Sequence, residues 1–202
     1  AAARDLEIRY FTAAQVRKRV GLPKDRQASD GLGIRLRQKA KGAKPQWSIR
    51  YLRDGAKPKF KQSFGSHSEF LLSPAVDWRD IKRDPTVDLW FCEGWNKAFM
   101  LCDRDLLAVG LNGCWGWSRD KKPIKEFEKW EWADRVVRVC FDSDVLYNPD
   151  VQRGLVGLCR HLRKLGADAR IVVIESTRDR KTGPDDLVLS KGVDALLALQ
   201  DL

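Results

Sequence analysis

Short apolar runs alternate with helix-like segments in the second part of the sequence, and this alternation constrains the fold more than any other feature. The apolar runs predict strands at Val87–Cys92, Leu106–Gly110, Arg135–Phe141 and Ala169–Ile174. The periodicity between them predicts helices at Trp95–Asp103, Ile124–Trp132 and Asp150–Leu165, with a last helical segment after Asp186. Strands that alternate with helices form a parallel sheet covered by helices. We therefore expect an α/β fold over residues 86–202, with a mostly parallel sheet and helices on both faces.

The first 85 residues have a different pattern, in which apolar and polar residues alternate over short stretches. This period of two predicts antiparallel strands at Leu32–Arg37, Trp47–Arg53 and Pro58–Phe64. A short helix is expected from Thr12, which can cap it, to Gly21. Together these elements predict a small α+β subdomain over residues 1–85.

The positive charge of the chain is concentrated in this first subdomain. The whole chain carries a net charge of +10, but residues 1–85 hold 20 Lys and Arg against 9 Asp and Glu, and residues 86–202 hold 18 against 19. Such a basic region is typical of a surface that binds a nucleic-acid backbone, with a solvated basic surface as the alternative. The candidate contacts, on the outward faces of the strands and on the loop between them, are Arg35, Arg37, Lys39, Lys41, Lys44, Arg50, Lys59 and Lys61.

Acidic residues follow two of the predicted parallel strands. Glu93 comes directly after the first strand, and Asp142 and Asp144 come after the third. Ligands of open α/β sheets bind outside the carboxyl ends of the strands, where these three residues should lie. Neighbouring carboxylates repel each other, so such a group is stable when it is protonated or holds a cation, and Mg²⁺ prefers carboxylate, water and phosphate oxygens. The pattern predicts a site for Mg²⁺ or Mn²⁺.

Four segments also carry a family resemblance. They are Leu89-Trp-Phe-Cys-Glu-Gly-Trp-Asn-Lys-Ala98, Val109-Gly-Leu-Asn-Gly-Cys-Trp-Gly-Trp117, Val139-Cys-Phe-Asp-Ser-Asp144 and Lys181-Thr-Gly-Pro-Asp-Asp186. In this order they resemble a Toprim domain, in the Toprim-like (Rossmann-like) version found in replication proteins of plasmids, phages and mobile elements. The resemblance implies that Glu93, Asp142 and Asp144 are metal ligands, with Glu93 also moving a proton. It further implies that Lys97 and Lys181 are catalytic cations and that Asp185 and Asp186 form an outer or second-metal motif.

The resemblance implies an enzyme of DNA replication. Bacterial-type primases also place a basic region before the Toprim domain, so we expect a metal-dependent primase that uses nucleoside triphosphates on a single-stranded DNA template. A replicative helicase in the same or a neighbouring polypeptide is an expected partner. The alternatives are a Toprim-type DNA nuclease, which would use the same acids to activate water, and a non-catalytic nucleic-acid-binding module. The sequence has no GxxxxGK[ST] motif, so no P-loop ATPase is predicted.

The remaining features are consistent with a cytoplasmic protein. The five cysteines form no CxxC pair, which favours free thiols in a reducing compartment. No apolar run approaches the length of a membrane span, and no membrane partner is expected. The chain starts at Ala1 without Met, so we expect a trimmed or excised polypeptide. Trp115 and Trp117 flank Gly116 near the predicted strand ends, where an indole can either pack in the core or stack on a base. If Trp117 stacks, Trp117→Ala should weaken nucleotide binding without unfolding the chain.

Overall fold

The computed structural model describes residues 69–175, 181–199 and 201, and before them the backbone of four strands at residues 9–11, 32–37, 46–51 and 60–62. The chain divides into two compact units, Ala1–His67 and Ser68–Leu202. This division falls earlier than the predicted boundary after residue 85. The intervening segment belongs to the second unit because it supplies an edge strand of the larger sheet and the buried side chain of Trp78.

The first unit contains a four-stranded antiparallel sheet in the order β1-β2-β3-β4. Its strands are β1 (Arg9–Phe11), β2 (Leu32–Arg37), β3 (Gln46–Tyr51) and β4 (Phe60–Gln62). The three strands predicted from the period of two are confirmed, and β1 was not predicted. The helix predicted between Thr12 and Gly21 lies outside the described residues.

The second unit is built on a five-stranded sheet in the order β11-β10-β6-β7-β5. Its strands are β5 (Leu71–Leu72), β6 (Leu89–Glu93), β7 (Ala108–Leu111), β10 (Val136–Val139) and β11 (Asp168–Ile171). All neighbours are parallel except β5, which pairs with β7 in the antiparallel sense. A separate short hairpin joins β8 (Ser118–Arg119) to β9 (Lys122–Pro123). The mostly parallel sheet is confirmed.

Five α-helices connect and cover these strands in the described part of the second unit. They are α1 (Trp78–Arg83), α2 (Trp95–Cys102), α3 (Pro149–Lys164), α4 (Pro184–Lys191) and α5 (Val193–Leu197). The longest, α3, begins where the Asn148 side chain accepts a hydrogen bond from the backbone N–H of Asp150, and Pro149 occupies its first turn. No helix in the described part of the chain is long and apolar enough to cross a membrane.

The helix predicted at Ile124–Trp132 is corrected to a 3₁₀-helix of five residues, Lys125–Lys129. The chain becomes extended at Trp130, and the Trp130 and Trp132 rings stack with their centroids 5.7 Å apart. Residues two apart lie on one side of an extended chain but not of a helix. Both indoles are therefore buried together only because the helix stops at Lys129.

Hydrophobic cores lie on both faces of the five-stranded sheet. Successive residues of β6 alternate between them: Leu89 and Phe91 join the core with α3, whereas Trp90 and Cys92 join the core with α2, α4 and α5. All four side chains are almost fully buried, and burial of a large apolar side chain contributes about 1.5–3 kcal/mol. This two-faced burial confirms the helices on both faces and explains why β6 reads as a continuous apolar run.

The guanidinium of Arg135 is buried at the start of β10, at the amino end of the sheet. It donates hydrogen bonds to the backbone carbonyls of Glu131, Val87 and Ile81 at 2.8, 3.1 and 2.8 Å. It thereby fixes α1 and the segment that enters β6 against β10, at the edge opposite the acidic residues.

Candidate active site at the carboxyl edge of the sheet

The acidic residues converge because their strands are neighbours. β6 and β10 run parallel with Phe91 opposite Val139, so Glu93 and the segment Cys140–Asp144 leave the sheet at the same edge. The backbone N–H of Cys140 still donates to the carbonyl of Phe91 at 2.8 Å, which keeps the two chains together to that point. The chain then turns into a short 3₁₀-helix, Ser143–Leu146, with Asp142 at its N-cap position and Asp144 in its first turn.

Two lysines from different elements reach these acids. The Nζ atom of Lys97, from the first turn of α2, lies 3.2 Å from Asp142 Oδ1. The Nζ atom of Lys181 lies 3.1 Å from Asp142 Oδ2 and 2.7 Å from Asp144 Oδ2. Asp142 is therefore buried between two ammonium groups, and Lys181 bridges the two aspartates.

The segment that carries Lys181 is held by backbone contacts to the aspartate turn. The N–H of Ser143 donates to the carbonyl of Thr182, and the N–H of Thr182 donates to Ser143 Oγ, both at 2.9 Å. At Gly183 an added Cβ atom would crowd the side chains of Asp185, Lys97 and Asp142, at 2.5 Å from Lys97 Cε and 3.0 Å from Asp142 Oδ1, so these side chains would have to shift. The Lys-Thr-Gly sequence thus allows the start of α4 to lie directly against the acids.

Burial and mutual repulsion change the protonation of this group. Burial, followed by the negative charge of Asp142, raises the pKa of Glu93 from its ordinary value of 4.5 to about 7. Burial also raises the pKa of Asp185, against the opposing charge of Lys97. Burial acts to lower the pKa of Lys181, but its hydrogen bond to Asp144 and the charge of Asp142 outweigh this and raise it. The charge of Asp142 contributes to the raised pKa of both Glu93 and Asp185, so both carboxyls lie close to the aspartates that pair with the lysines.

Several oxygens in the group remain without a hydrogen bond although they are buried. They are Glu93 Oε1, Asp142 Oδ1, Asp144 Oδ1 and Asp185 Oδ1. The ammonium of Lys97 is within ion-pair distance of Asp142 Oδ1 but is not aligned to donate a hydrogen bond to it. Buried carboxylate oxygens without donors suit a hard divalent cation, so the donor chemistry fits Mg²⁺ or Mn²⁺. Within residues 69–175 and 181–199, however, no three His, Cys, Asp or Glu side chains are already arranged to hold a metal ion.

Asp185 and Asp186 have separate positions in the structure. Asp186 Oδ2 accepts a hydrogen bond from the backbone N–H of Gly183 at 2.9 Å, so it caps the first turn of α4. Asp185 is the one that lies toward Lys97 and Asp142. The predicted metal role of Asp186 stays a prediction, and Asp185 is the stronger candidate for a place in the site. Sequence reasoning missed Ser143, whose role depends on a contact 39 positions along the chain.

The predicted nucleic-acid contacts belong to the first unit. Arg35, Arg37, Arg50 and Lys61 fall on described strands, and Lys39, Lys41, Lys44 and Lys59 lie outside the described residues. Arg35 is paired with Ser48, and Lys61 with Ile49. The shared basic face and the contact with nucleic acid stay predictions.

The fold and the site together define an α/β protein with an acid–lysine cluster at the carboxyl edge of a mostly parallel sheet. Residues 77–195 match the family described as a domain of unknown function, DUF3854, and this chain belongs to that family. No curated protein matches the sequence significantly.

A solved structure gives a likeness of fold. The chain is similar to the Aquifex aeolicus primase, in a crystal structure of its zinc-binding and RNA polymerase domains, with a TM-score of 0.55 and 10% sequence identity. The match covers 90% of this chain and 43% of that one, so this chain spans less than half the length of the primase fragment. At this identity the likeness establishes a shared fold.

Proposed function

We propose that this chain is the catalytic core of a replication primase, which joins nucleoside triphosphates into a primer on single-stranded DNA with the help of Mg²⁺ or Mn²⁺. The observation that carries the proposal is the convergence of Glu93, Asp142 and Asp144 with Lys97 and Lys181 at one edge of a parallel sheet. The likeness of fold to a primase and the resemblance of the four motifs to a Toprim domain support the same assignment. The basic first unit supplies charge suited to the template.

In this proposal Glu93, Asp142 and Asp144 hold the divalent cation. When bound, such a cation stabilises the negative charge that develops on phosphoryl oxygens. Each of the three carboxylates has one oxygen that accepts no hydrogen bond and is available as a ligand, although Lys97 lies 3.2 Å from the one on Asp142. Lys181 must move away from the aspartates that it now bridges.

The side chains of the chain supply the remaining functions. Primer extension forms a bond from a 3′-hydroxyl oxygen to the α-phosphorus of a nucleotide and breaks the bond to pyrophosphate, and the hydroxyl proton must pass to a base. We assign the acceptance of this proton to Glu93, because burial and the charge of Asp142 make it the most basic of the three carboxylates in the metal-free protein. Lys97 and Lys181 are suited to bind the triphosphate, since both ammonium groups already lie at this edge.

The test is a primer-synthesis assay with single-stranded DNA, nucleoside triphosphates and Mg²⁺. We expect product from the wild-type chain and a loss of at least a hundredfold in Asp142→Asn. Asp105→Asn is the matched control, because Asp105 is exposed and lies in the turn before β7, at the opposite edge of the sheet. Undiminished product from Asp142→Asn would overturn the assignment. Cleavage of labelled DNA without nucleotides would indicate the nuclease instead, and salt-sensitive binding without either reaction would indicate a non-catalytic module.

A further inference from the structure

Three aromatic rings form a row that ends in a partly exposed tryptophan. The rings of His161 and Trp117 stack with centroids 6.1 Å apart and an interplanar angle of 19°. Trp117 and Trp115 stack in turn, at 6.0 Å and 27°. Trp117 is buried, whereas Trp115 is 41% exposed. Trp117 is therefore a core residue, which corrects the prediction that it stacks on a base, and Trp115 is the partly exposed end of the row.

The row is held rigidly. Trp117 Nε1 donates to the carbonyl of Gly154 at 3.1 Å, and Trp115 Nε1 donates to Asp150 Oδ2 at 3.2 Å. At Gly157 a Cβ atom would lie 2.7 Å from the Trp117 ring, so the absence of a side chain allows the indole to pack closely against α3. Hydrogen bonds thus anchor both tryptophans to the first two turns of this helix, which reduces the ordering that the exposed ring needs when it binds a ligand.

The exposed ring belongs to the same edge of the sheet as the acids. Leu111, the last residue of β7, is paired with Glu93, and Trp115 follows four residues later. Its hydrogen-bond partner Asp150 lies six residues after Asp144, in the first turn of α3. Cys114, next to Trp115, is close enough to Glu93 for the charge of that carboxylate to act on its thiol. Burial, and then this charge, raise the pKa of the thiol to about 11.

We propose that Trp115 is the nucleobase platform of the site, where the purine or pyrimidine ring of the nucleoside triphosphate stacks on its outer face. This inference rests on the proposed function, because it takes the acid–lysine cluster as the place of the triphosphate. A rigid, partly exposed indole beside a phosphate site provides a planar apolar surface, and every base offers a matching face. Stacking of this kind recognises bases without selecting among them, so Trp115 contributes affinity and position.

The test measures binding of ATP, inorganic tripolyphosphate and an oligothymidylate by titration calorimetry with Mn²⁺ present. We compare the wild-type chain with Trp115→Ala and Trp115→Phe. Leu165→Ala is the control, because Leu165 is exposed at the far end of α3. We expect Trp115→Ala to weaken ATP binding roughly 5- to 150-fold and to leave tripolyphosphate binding unchanged. Trp115→Phe should retain most of the affinity for ATP, since it keeps an aromatic face.

The outcomes separate this inference from the proposed function. Equal ATP affinity in the wild type and Trp115→Ala overturns the platform, while tripolyphosphate binding that needs Asp142 would still support the triphosphate site. An equal loss of ATP and tripolyphosphate affinity means that Trp115 acts through folding, which also overturns the platform. A loss confined to the oligothymidylate assigns the ring to the DNA strand and overturns the nucleotide assignment. If the wild type binds neither ATP nor tripolyphosphate, both proposals fall.

Discussion

Replacement of Glu93 by Gln should stabilise the metal-free protein, although it removes a proposed ligand. The folded state raises the pKa of this carboxyl from 4.5 to about 7, a difference that corresponds to about 3 kcal/mol. Below pH 4.5 the carboxyl is protonated in both the folded and the unfolded state and does not lower the free energy of unfolding. Because the folded pKa is the higher one, the free energy of unfolding falls as the pH rises from 4.5 to about 7. Gln resembles the protonated acid and never ionises. The free energy of unfolding of Glu93→Gln should therefore equal that of the wild type near pH 4.5 and exceed it by up to about 3 kcal/mol at pH 8.

The assay is urea unfolding in EDTA at pH 5 and pH 8, followed by tryptophan fluorescence. Seven of the eight tryptophans lie in the second unit, so the signal reports mainly the unit that contains the site. Glu128→Gln is the control, because Glu128 is exposed. Addition of Mg²⁺ should stabilise the wild type and have a smaller effect on Glu93→Gln. The reasoning is refuted if the wild type is the more stable protein at pH 8, or if the difference between the proteins is the same at both pH values.

Three further predictions follow from contacts in the second unit. Lys181→Met should lower the free energy of unfolding in EDTA by about 1–2 kcal/mol, because the two aspartates lose a half-exposed partner. The stabilisation by Mg²⁺, measured in parallel unfolding experiments, should be larger for this variant than for the wild type, and equal stabilisation would contradict the prediction. Arg135→Met should cost about 3–5 kcal/mol in the same assay, because three backbone carbonyls lose a buried donor, whereas the exposed Arg104→Met should be nearly neutral. Gly157→Ala should lower the free energy of unfolding by about 1–3 kcal/mol, because the new methyl group clashes with the Trp117 ring, and this outweighs the better helix propensity of alanine. Val156→Ala on the same helix is the control, and a stabilised Gly157→Ala protein would show that the ring can move.

The strands and the gathering of acids at one edge could be predicted because both depend on local pattern. A continuous apolar run such as Leu89–Cys92 requires burial on both faces, and this is met by a central strand of a parallel sheet. Once β6 and β10 are parallel neighbours, the residues that follow them must leave at the same edge. The placement of Glu93 beside Asp142 therefore follows from strand order, although sequence alone did not fix that order.

The features that could not be predicted depend on contacts distant in the chain or on competing local signals. Lys181 reaches two aspartates 37 and 39 positions away, and nothing in its own segment indicates that it would bridge them. The segment Ile124–Trp132 has residues that suit a helix, but burial of Trp130 beside Trp132 outweighs that local preference. The choice between Trp115 and Trp117 was likewise decided by the space that Gly157 leaves on α3.

The charges at the site show why protons and a divalent cation should compete there. Two lysines balance Asp142 and Asp144, and Glu93 and Asp185 are the additional carboxyls whose pKa values are raised. Without metal, the cluster approaches neutrality by keeping protons on these two groups at the lower end of the pH range. A divalent cation that binds the carboxylates must release those protons, so its apparent affinity rises with pH up to about 7, where Glu93 is already ionised in half of the molecules. The same carboxyl therefore makes metal binding depend on pH, because Glu93 must give up its proton before it can act as a ligand.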